Sequence, residues 1–160
     1  MTSKAEFTDE EWARIRRAPF VAGMAISLAD PGGPIEMSKE TIASFRSASL
    51  PPSEEELLLS VAHDVQALIQ QKQNPMGDFK PTNAALAGQQ VLDELRAVND
   101  IVTEKATSEE AAAFRRWLMV TAQAAADAAK EGGFLGFGAE QVSKGEQAML
   151  DQLRSTLGAG

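Results

Sequence analysis

Apolar residues recur every three or four positions along most of the chain, which is the spacing of one face of an α-helix. The clearest stripe is Leu58, Val61, Ala62, Val65, Leu68 and Ile69. Two later stripes are Val91, Leu95, Val98 and Val102, and then Met149, Leu150, Leu153 and Leu157. No stretch shows the sustained apolar–polar alternation of a half-buried strand. The pattern therefore predicts an all-α protein, with residues 1–160 forming a single compact domain of six or seven helices.

Capping residues and helix breakers set the predicted helix boundaries. Four segments match the capping box, in which a hydroxyl and a carboxylate three residues apart bind each other's backbone N–H: Thr8-x-x-Glu11, Ser53-x-x-Glu56, Thr107-x-x-Glu110 and Ser143-x-x-Glu146. Pro19 either kinks the first helix or begins a second one, because proline is tolerated only in a first turn. The predicted helices cover about residues 9–17, 19–30, 38–47, 53–72, 83–105, 107–131 and 143–157.

An internal repeat relates the two ends of the chain. Residues 8–29 align with residues 107–128 at a constant offset of 99, and nine of the 22 positions are identical. Both copies contain a Thr-x-Glu-Glu cap and an Arg-Arg pair, and both are followed by Gly-Gly and Ser-Lys. We favour duplication over convergence on common helical patterns. The repeat halves, about 8–48 and 107–157, would then form a pseudo-twofold arrangement linked by the long helices 53–72 and 83–105.

The segment EGGFLGFG places Phe134, Leu135 and Phe137 among four glycines. It occupies the position that DPGGP, residues 30–34, has in the first half. One interpretation is a loop that turns into the core, where burial of the three side chains would contribute roughly 4–9 kcal/mol. The other is an exposed apolar patch that contacts a partner or a second subunit. We favour the buried loop, because glycine lets the backbone turn tightly inward.

Composition narrows the classes of function. The formal net charge is −8, whereas a nucleic-acid-binding protein usually needs a basic face to neutralise phosphates, so we expect no nucleic-acid partner. No apolar run approaches the roughly 20 residues that span a bilayer, and no signal peptide is visible, so we expect a cytoplasmic protein without membrane contact. The chain has one histidine and no cysteine, which excludes Cys/His zinc sites. Catalysis would have to use carboxylates, lysines, serines or threonines.

Acidic residues near the two Gly-Gly loops are candidate ligands for a divalent cation, since calcium and magnesium prefer oxygen ligands. The first set is Asp30, Glu36 and Glu40, and the second is Glu131, Glu140 and Glu146. The segment DPGGPIEMSKE lacks the central acids of an EF-hand loop. We therefore favour turn and capping roles for these residues over a metal site, and no cofactor is required.

The single histidine and the repeated arginines have structural interpretations as well. His63 falls well away from the apolar stripe of its predicted helix, so we expect it to face solvent rather than to act as a base. The pairs Arg16-Arg17 and Arg115-Arg116 could bind carboxylates across the fold axis or could form an anion site, because the planar guanidinium suits both. We favour pairing with carboxylates.

The segments ADPGG…SKE and AKEGG…VSKGEQAMLDQLRSTLG resemble the TerB-like family, named for a tellurite-resistance protein. The positions that carry the resemblance are Asp30, Gly33, Ile35, Ser38 and Glu40 in the first half, and Gly133, Val142, Ser143, Glu146, Leu150, Leu153 and Leu157 in the second. The second half departs from the pattern, because Lys130 or Glu131 replaces the aspartate and the loop is five residues longer. The resemblance implies an all-helical, pseudo-symmetric fold. It also implies a non-enzymatic, stress-associated role with divalent metal on acidic residues.

Three functional hypotheses follow in order of preference. The first is a TerB-like, non-enzymatic cytoplasmic protein that acts through contacts or ion binding. The second is a structural or protein-interaction module, a homodimer that uses the apolar loop at residues 134–137. The third and least favoured is a carboxylate-dependent hydrolase, which would need acids from different helices to converge in a pocket.

Overall fold

The computed structural model describes residues 2–29, 46–77, 79–81, 86–131 and 144–158. A short 3-10 helix, Lys4–Glu6, precedes five α-helices: α1 Asp9–Ala29, α2 Glu56–Gln70, α3 Ala87–Lys105, α4 Ser108–Glu131 and α5 Lys144–Leu157. Residues 46–49 are also helical. No strand occurs among these residues, so the predicted all-α class is confirmed for the described part of the chain.

Helix α1 lies at the centre of the fold and packs against each of the other four α-helices, most extensively against α4 and α3. After Arg17 it contains no charged residue, and the residues from Ala18 to Ile26 are almost all buried, which is typical of a helix that packs on several sides. A second helix beginning at Pro19 is wrong, because α1 continues through this residue, and the alternative of a kink there stays a prediction. Pro19 is buried between Ala18 and Phe20, and burial around it outweighs the roughly 3 kcal/mol that proline costs inside a helix.

The predicted apolar stripes form most of the core. The stripes of α3 and α5 are buried as predicted: Val91, Leu95, Val98, Val102, Met149, Leu150, Leu153 and Leu157. In α2 the stripe is buried from Leu58 to Val65, but Leu68 is half-buried and Ile69 is 38% exposed. The last turn of α2 therefore extends past the core. Among the described residues, no helix combines the length and apolarity needed to cross a membrane.

Two of the predicted capping boxes are present. At the start of α1, Thr8 Oγ1 accepts from the Glu11 amide at 3.1 Å, and Glu11 accepts from the Thr8 amide at 2.9 Å. The equivalent bonds at the start of α4 measure 3.1 and 3.3 Å. The box predicted at Ser53 is wrong, because α2 begins only at Glu56. The box at Ser143 lies outside the described residues and stays a prediction.

Helix α2 ends in a Schellman motif with a lysine at its left-handed position. Lys72 has φ +60°. Its amide donates to the Ile69 carbonyl at 3.0 Å, and the Gln73 amide donates to the Leu68 carbonyl at 2.9 Å. These two bonds define the motif, whose left-handed residue is usually glycine. The predicted helix end at Lys72 was therefore two residues late.

Replacing Lys72 by glycine is expected to raise the free energy of unfolding by about 1 kcal/mol, because a residue with a Cβ atom is strained at this φ. Urea unfolding followed by circular dichroism measures the change. Lys72→Ala is the control, since alanine removes the side chain and keeps the strain. A glycine variant no more stable than the alanine variant would contradict the assignment.

Candidate functional site

Most residues predicted as functional from the sequence lie outside the described part of the structure. This holds for Asp30, Glu36, Glu40 and Glu140, and for the side chain of Glu131. It also holds for Phe134, Leu135 and Phe137. Glu146 is described and lies buried in the first turn of α5. Within the described ranges, no three acidic or histidine side chains are grouped so that they could hold a metal ion. The cation site and the apolar contact loop therefore stay predictions.

Glu94 joins α3 to α1 through two arginines. Glu94 is buried, with 7% of its surface exposed. Its carboxylate accepts hydrogen bonds from Arg14 Nη2 at 2.7 Å and from Arg17 Nη2 at 2.6 Å. The Nε atoms of both arginines also donate to it, at 3.1 and 3.0 Å. Burial raises the pKa of Glu94, but the bonds from Arg14 and Arg17 outweigh burial and leave the pKa below its usual value. The group is a structural ion cluster.

The repeated arginines have different surroundings in the two halves. Pairing with a carboxylate is confirmed for Arg17, which binds Glu94. It is wrong for Arg115, whose guanidinium donates to Asn99 Oδ1 at 2.8 Å and to Thr103 Oγ1 at 2.7 Å. These two partners on α3 are neutral, so the guanidinium of Arg115 donates to an amide and a hydroxyl where that of Arg17 donates to a carboxylate. Arg116 is exposed.

Glu110 connects three separate segments of the chain. It accepts from the Thr2 amide at 3.1 Å and from Thr2 Oγ1 at 2.5 Å. It also accepts from the Leu57 amide, in the first turn of α2, at 3.1 Å. With its capping bond to Thr107, this carboxylate caps both α4 and α2. Burial raises the pKa of Glu110, but the hydrogen bonds outweigh burial and lower it to about 2.

A surface groove of about 510 Å³ runs along the outer face of α2. Its floor follows helical spacing, because residues three or four positions apart share one face. Leu59 is the large apolar residue of this lining and is 48% exposed. Lys4, the first residue of the 3-10 helix, also lines the groove. We call this feature the α2 groove; it is lined by Lys4, Glu54, Glu56, Leu59, Ser60, His63 and Asp64.

Asp64 fixes the wall of the α2 groove against α1. Its Oδ2 atom accepts from Lys4 Nζ at 2.9 Å and from Trp12 Nε1 at 2.8 Å. Lys4 Nζ also lies 5.9 Å from the centre of the Trp12 ring. Burial raises the pKa of Asp64, but the bonds from Lys4 and Trp12 outweigh it and leave the pKa lowered. The groove therefore has one end in which charges are already paired.

Ser60, His63 and Asp64 line the same groove, which raises the question of nucleophilic catalysis. His63 Nδ1 lies 3.6 Å from Asp64 Oδ1, and the imidazole is 85% exposed, as predicted from its position off the apolar stripe. A serine nucleophile would need a hydrogen bond from its hydroxyl to the histidine. Within the described residues Ser60 forms no hydrogen bond to His63, and Asp64 is committed to Lys4 and Trp12. The arrangement suits binding better than catalysis.

Comparisons with protein-family models, with curated proteins and with solved structures find no match for this chain. The resemblance to the TerB-like family thus gains no independent support and stays a prediction.

Sequence reasoning missed the roles of Glu94 and Asp64, and for Glu110 it found only the local capping bonds with Thr107. Glu94 and Glu110 nevertheless left a visible signal of burial. Glu94 lies three residues after Val91 and four before Val98, inside the apolar stripe of α3. Glu110 similarly precedes Phe114 by one turn of α4. An acidic residue within an apolar stripe predicts a buried, partnered carboxylate, because an unpaired buried charge is costly. The role of Asp64 had no such signal, since its partners come from distant segments.

Proposed function

We propose that this protein is a non-enzymatic binding module that acts through contacts with a protein partner, and that the α2 groove is its contact surface. The observation that carries the proposal is the exposed Leu59 in a groove whose other lining residues are charged or polar. An apolar centre with a polar rim is the usual composition of a protein-binding surface. The hydrogen bond that Trp12 Nε1 donates to Asp64 ties the groove to the core helix α1, so the surface is held in place before binding.

The proposal also includes the wider expectations from the sequence. The resemblance to the TerB-like family implies a stress-associated role, and a cytoplasmic location stays a prediction. A divalent cation on Asp30, Glu36, Glu40, Glu131 and Glu146 stays a prediction, as does a homodimer through residues 134–137. None of these expectations is needed for binding at the α2 groove.

The internal duplication is part of the same proposal. Its support is that Thr8–Glu11 and Thr107–Glu110 form the same capping box, at the starts of helices that pack against each other. The Arg14–Glu94–Arg17 cluster has no counterpart at the offset of 99, because Ala113 stands where the repeat would place Arg14. A duplication followed by divergence accounts for both observations.

Selection from a random peptide library displayed on phage tests the binding function. We expect the wild-type protein to enrich peptides that bind about fivefold more weakly to Leu59→Ser, because burying the exposed half of a leucine contributes about 1 kcal/mol. Leu86→Ser is the matched control, since Leu86 is 55% exposed and does not line the α2 groove. Failure to enrich any peptide, or equal binding to both variants, would overturn the proposal.

A further inference from the structure

The charges in the α2 groove are unequally distributed along its length. At one end, Lys4 neutralises Asp64 and His63 stands beside them. At the other end lie Glu54, which is exposed, and Glu56, which is half-buried in the first turn of α2. Within the described residues neither of these two carboxylates forms an ion pair, whereas Lys4 and Asp64 in the same groove pair with each other. The groove therefore has an acidic end that its own lysine does not neutralise.

The exposed Leu59 adds an apolar contact next to this acidic end. It follows Glu56 by three residues, so the two side chains are neighbours on one face of α2. The Cβ atoms of residues three positions apart on a helix lie about 5–6 Å from each other. Residues two positions apart in an extended peptide point to the same side and lie about 6.6 Å apart. One basic and one apolar side chain at this spacing would match the carboxylates and the leucine together.

From these charges and this spacing, we propose that the α2 groove binds a short basic segment of a partner protein, with an apolar side chain against Leu59 and a lysine or arginine beside Glu54 and Glu56. This inference rests on the proposed binding function and names the chemistry of the partner. The basic side chain of the segment lies at the acidic end of the groove and not at the end with Lys4 and His63, because a cation there would be repelled by the Lys4 ammonium. The overall charge of −8 favours the approach of a basic segment at low salt.

A second acidic surface on the same protein supplies the control. Asp100 and Glu104 are four residues apart on the outer face of α3, and both are exposed. Neither forms an ion pair within the described residues, and neither lines the α2 groove. Neutralising them changes the net charge by the same amount as neutralising Glu54 and Glu56. Comparing the two double variants therefore separates recognition at the α2 groove from a general attraction of basic peptides to an acidic protein.

The probe is a labelled, end-blocked peptide that repeats lysine, serine, leucine and serine three times, measured by fluorescence anisotropy. We expect Glu54→Gln with Glu56→Gln to weaken binding about fivefold at low salt, since exposed charge pairs contribute about 0.2–1 kcal/mol each. Asp100→Asn with Glu104→Gln should bind like the wild type. Peptides with glutamate in place of lysine, or serine in place of leucine, should bind less well. Circular dichroism establishes that each variant is folded.

The outcomes distinguish the two proposals. Equal binding of the lysine and glutamate peptides, or equal weakening by both double variants, would overturn the basic-segment inference. If peptides without basic residues bind the wild type and depend on Leu59, the binding function stands and only the inference fails. If no peptide depends on Leu59, both fail.

Discussion

Glu110→Gln is expected to lower the free energy of unfolding by about 3 kcal/mol. The amide of glutamine keeps one acceptor but turns two N–H donors toward a site lined by the amides of Thr2, Leu57 and Thr107. Buried donors left without an acceptor each cost about 1–3 kcal/mol, and some of this cost is relieved by local movement. Urea unfolding monitored by circular dichroism measures the loss.

The control for this variant is its neighbour. Glu109 is exposed in the same first turn of α4 and carries the same charge. Glu109→Gln should change stability by less than about 0.5 kcal/mol, which isolates the hydrogen bonds of Glu110 from the helix dipole. Two variants of equal stability would contradict the role assigned to Glu110.

The same substitution should remove part of the acid sensitivity of the protein. The pKa of Glu110 is lowered from 4.5 to about 2 in the folded state, so its contribution to stability is complete above the unfolded pKa. That contribution is lost as the pH falls from about 5 to 2, and it amounts to about 3 kcal/mol. Over this range, the free energy of unfolding should fall less steeply with decreasing pH in Glu110→Gln than in the wild type.

Glu94→Gln should have the second largest effect, a loss of about 2 kcal/mol. Removing the charge leaves Arg14 and Arg17 close together without a counter-ion in a site where Glu94 was 7% exposed. The loss is smaller than for a fully buried pair, because the two arginine side chains are 28% and 16% exposed and retain some water. Thermal and urea unfolding both report it.

Asp93 provides the comparison for Glu94. It pairs with Arg96 on the exposed face of α3, where the two side chains are 58% and 57% exposed. Surface pairs of this kind contribute about 0–1 kcal/mol, so Asp93→Asn should be close to neutral. A Glu94→Gln variant as stable as Asp93→Asn would show that the cluster with Arg14 and Arg17 contributes nothing measurable.

Local patterns in the sequence predict the helices more successfully than they predict which side chains meet. Periodicity places α3 and α5, and the caps at Thr8 and Thr107 form as expected, because both depend on residues within one or two turns. The box at Ser53 fails because a carboxylate 53 residues further along the chain binds Leu57 and caps α2 instead. No local pattern contains that competitor.

The candidate site shows the same limit. The α2 groove depends on Lys4 and Trp12 reaching Asp64, which are contacts across 60 and 52 residues. The sequence correctly places His63 in solvent, because that follows from the helical phase alone. Pro19 shows that helix boundaries are subject to the same limit. The free-energy cost of a proline inside a helix can be read from the sequence, but the tertiary packing that outweighs this cost cannot.

The three-way contact of Glu110 also bears on how the protein opens locally. Residues near Thr2, the start of α2 and the start of α4 are held by a single carboxylate, so loss of one contact weakens the other two. Segments linked in this way exchange their amide hydrogens as one cooperative unit rather than fraying one by one. The amides of Leu57 and Glu110 therefore belong to the same opening event, although they are far apart in the chain.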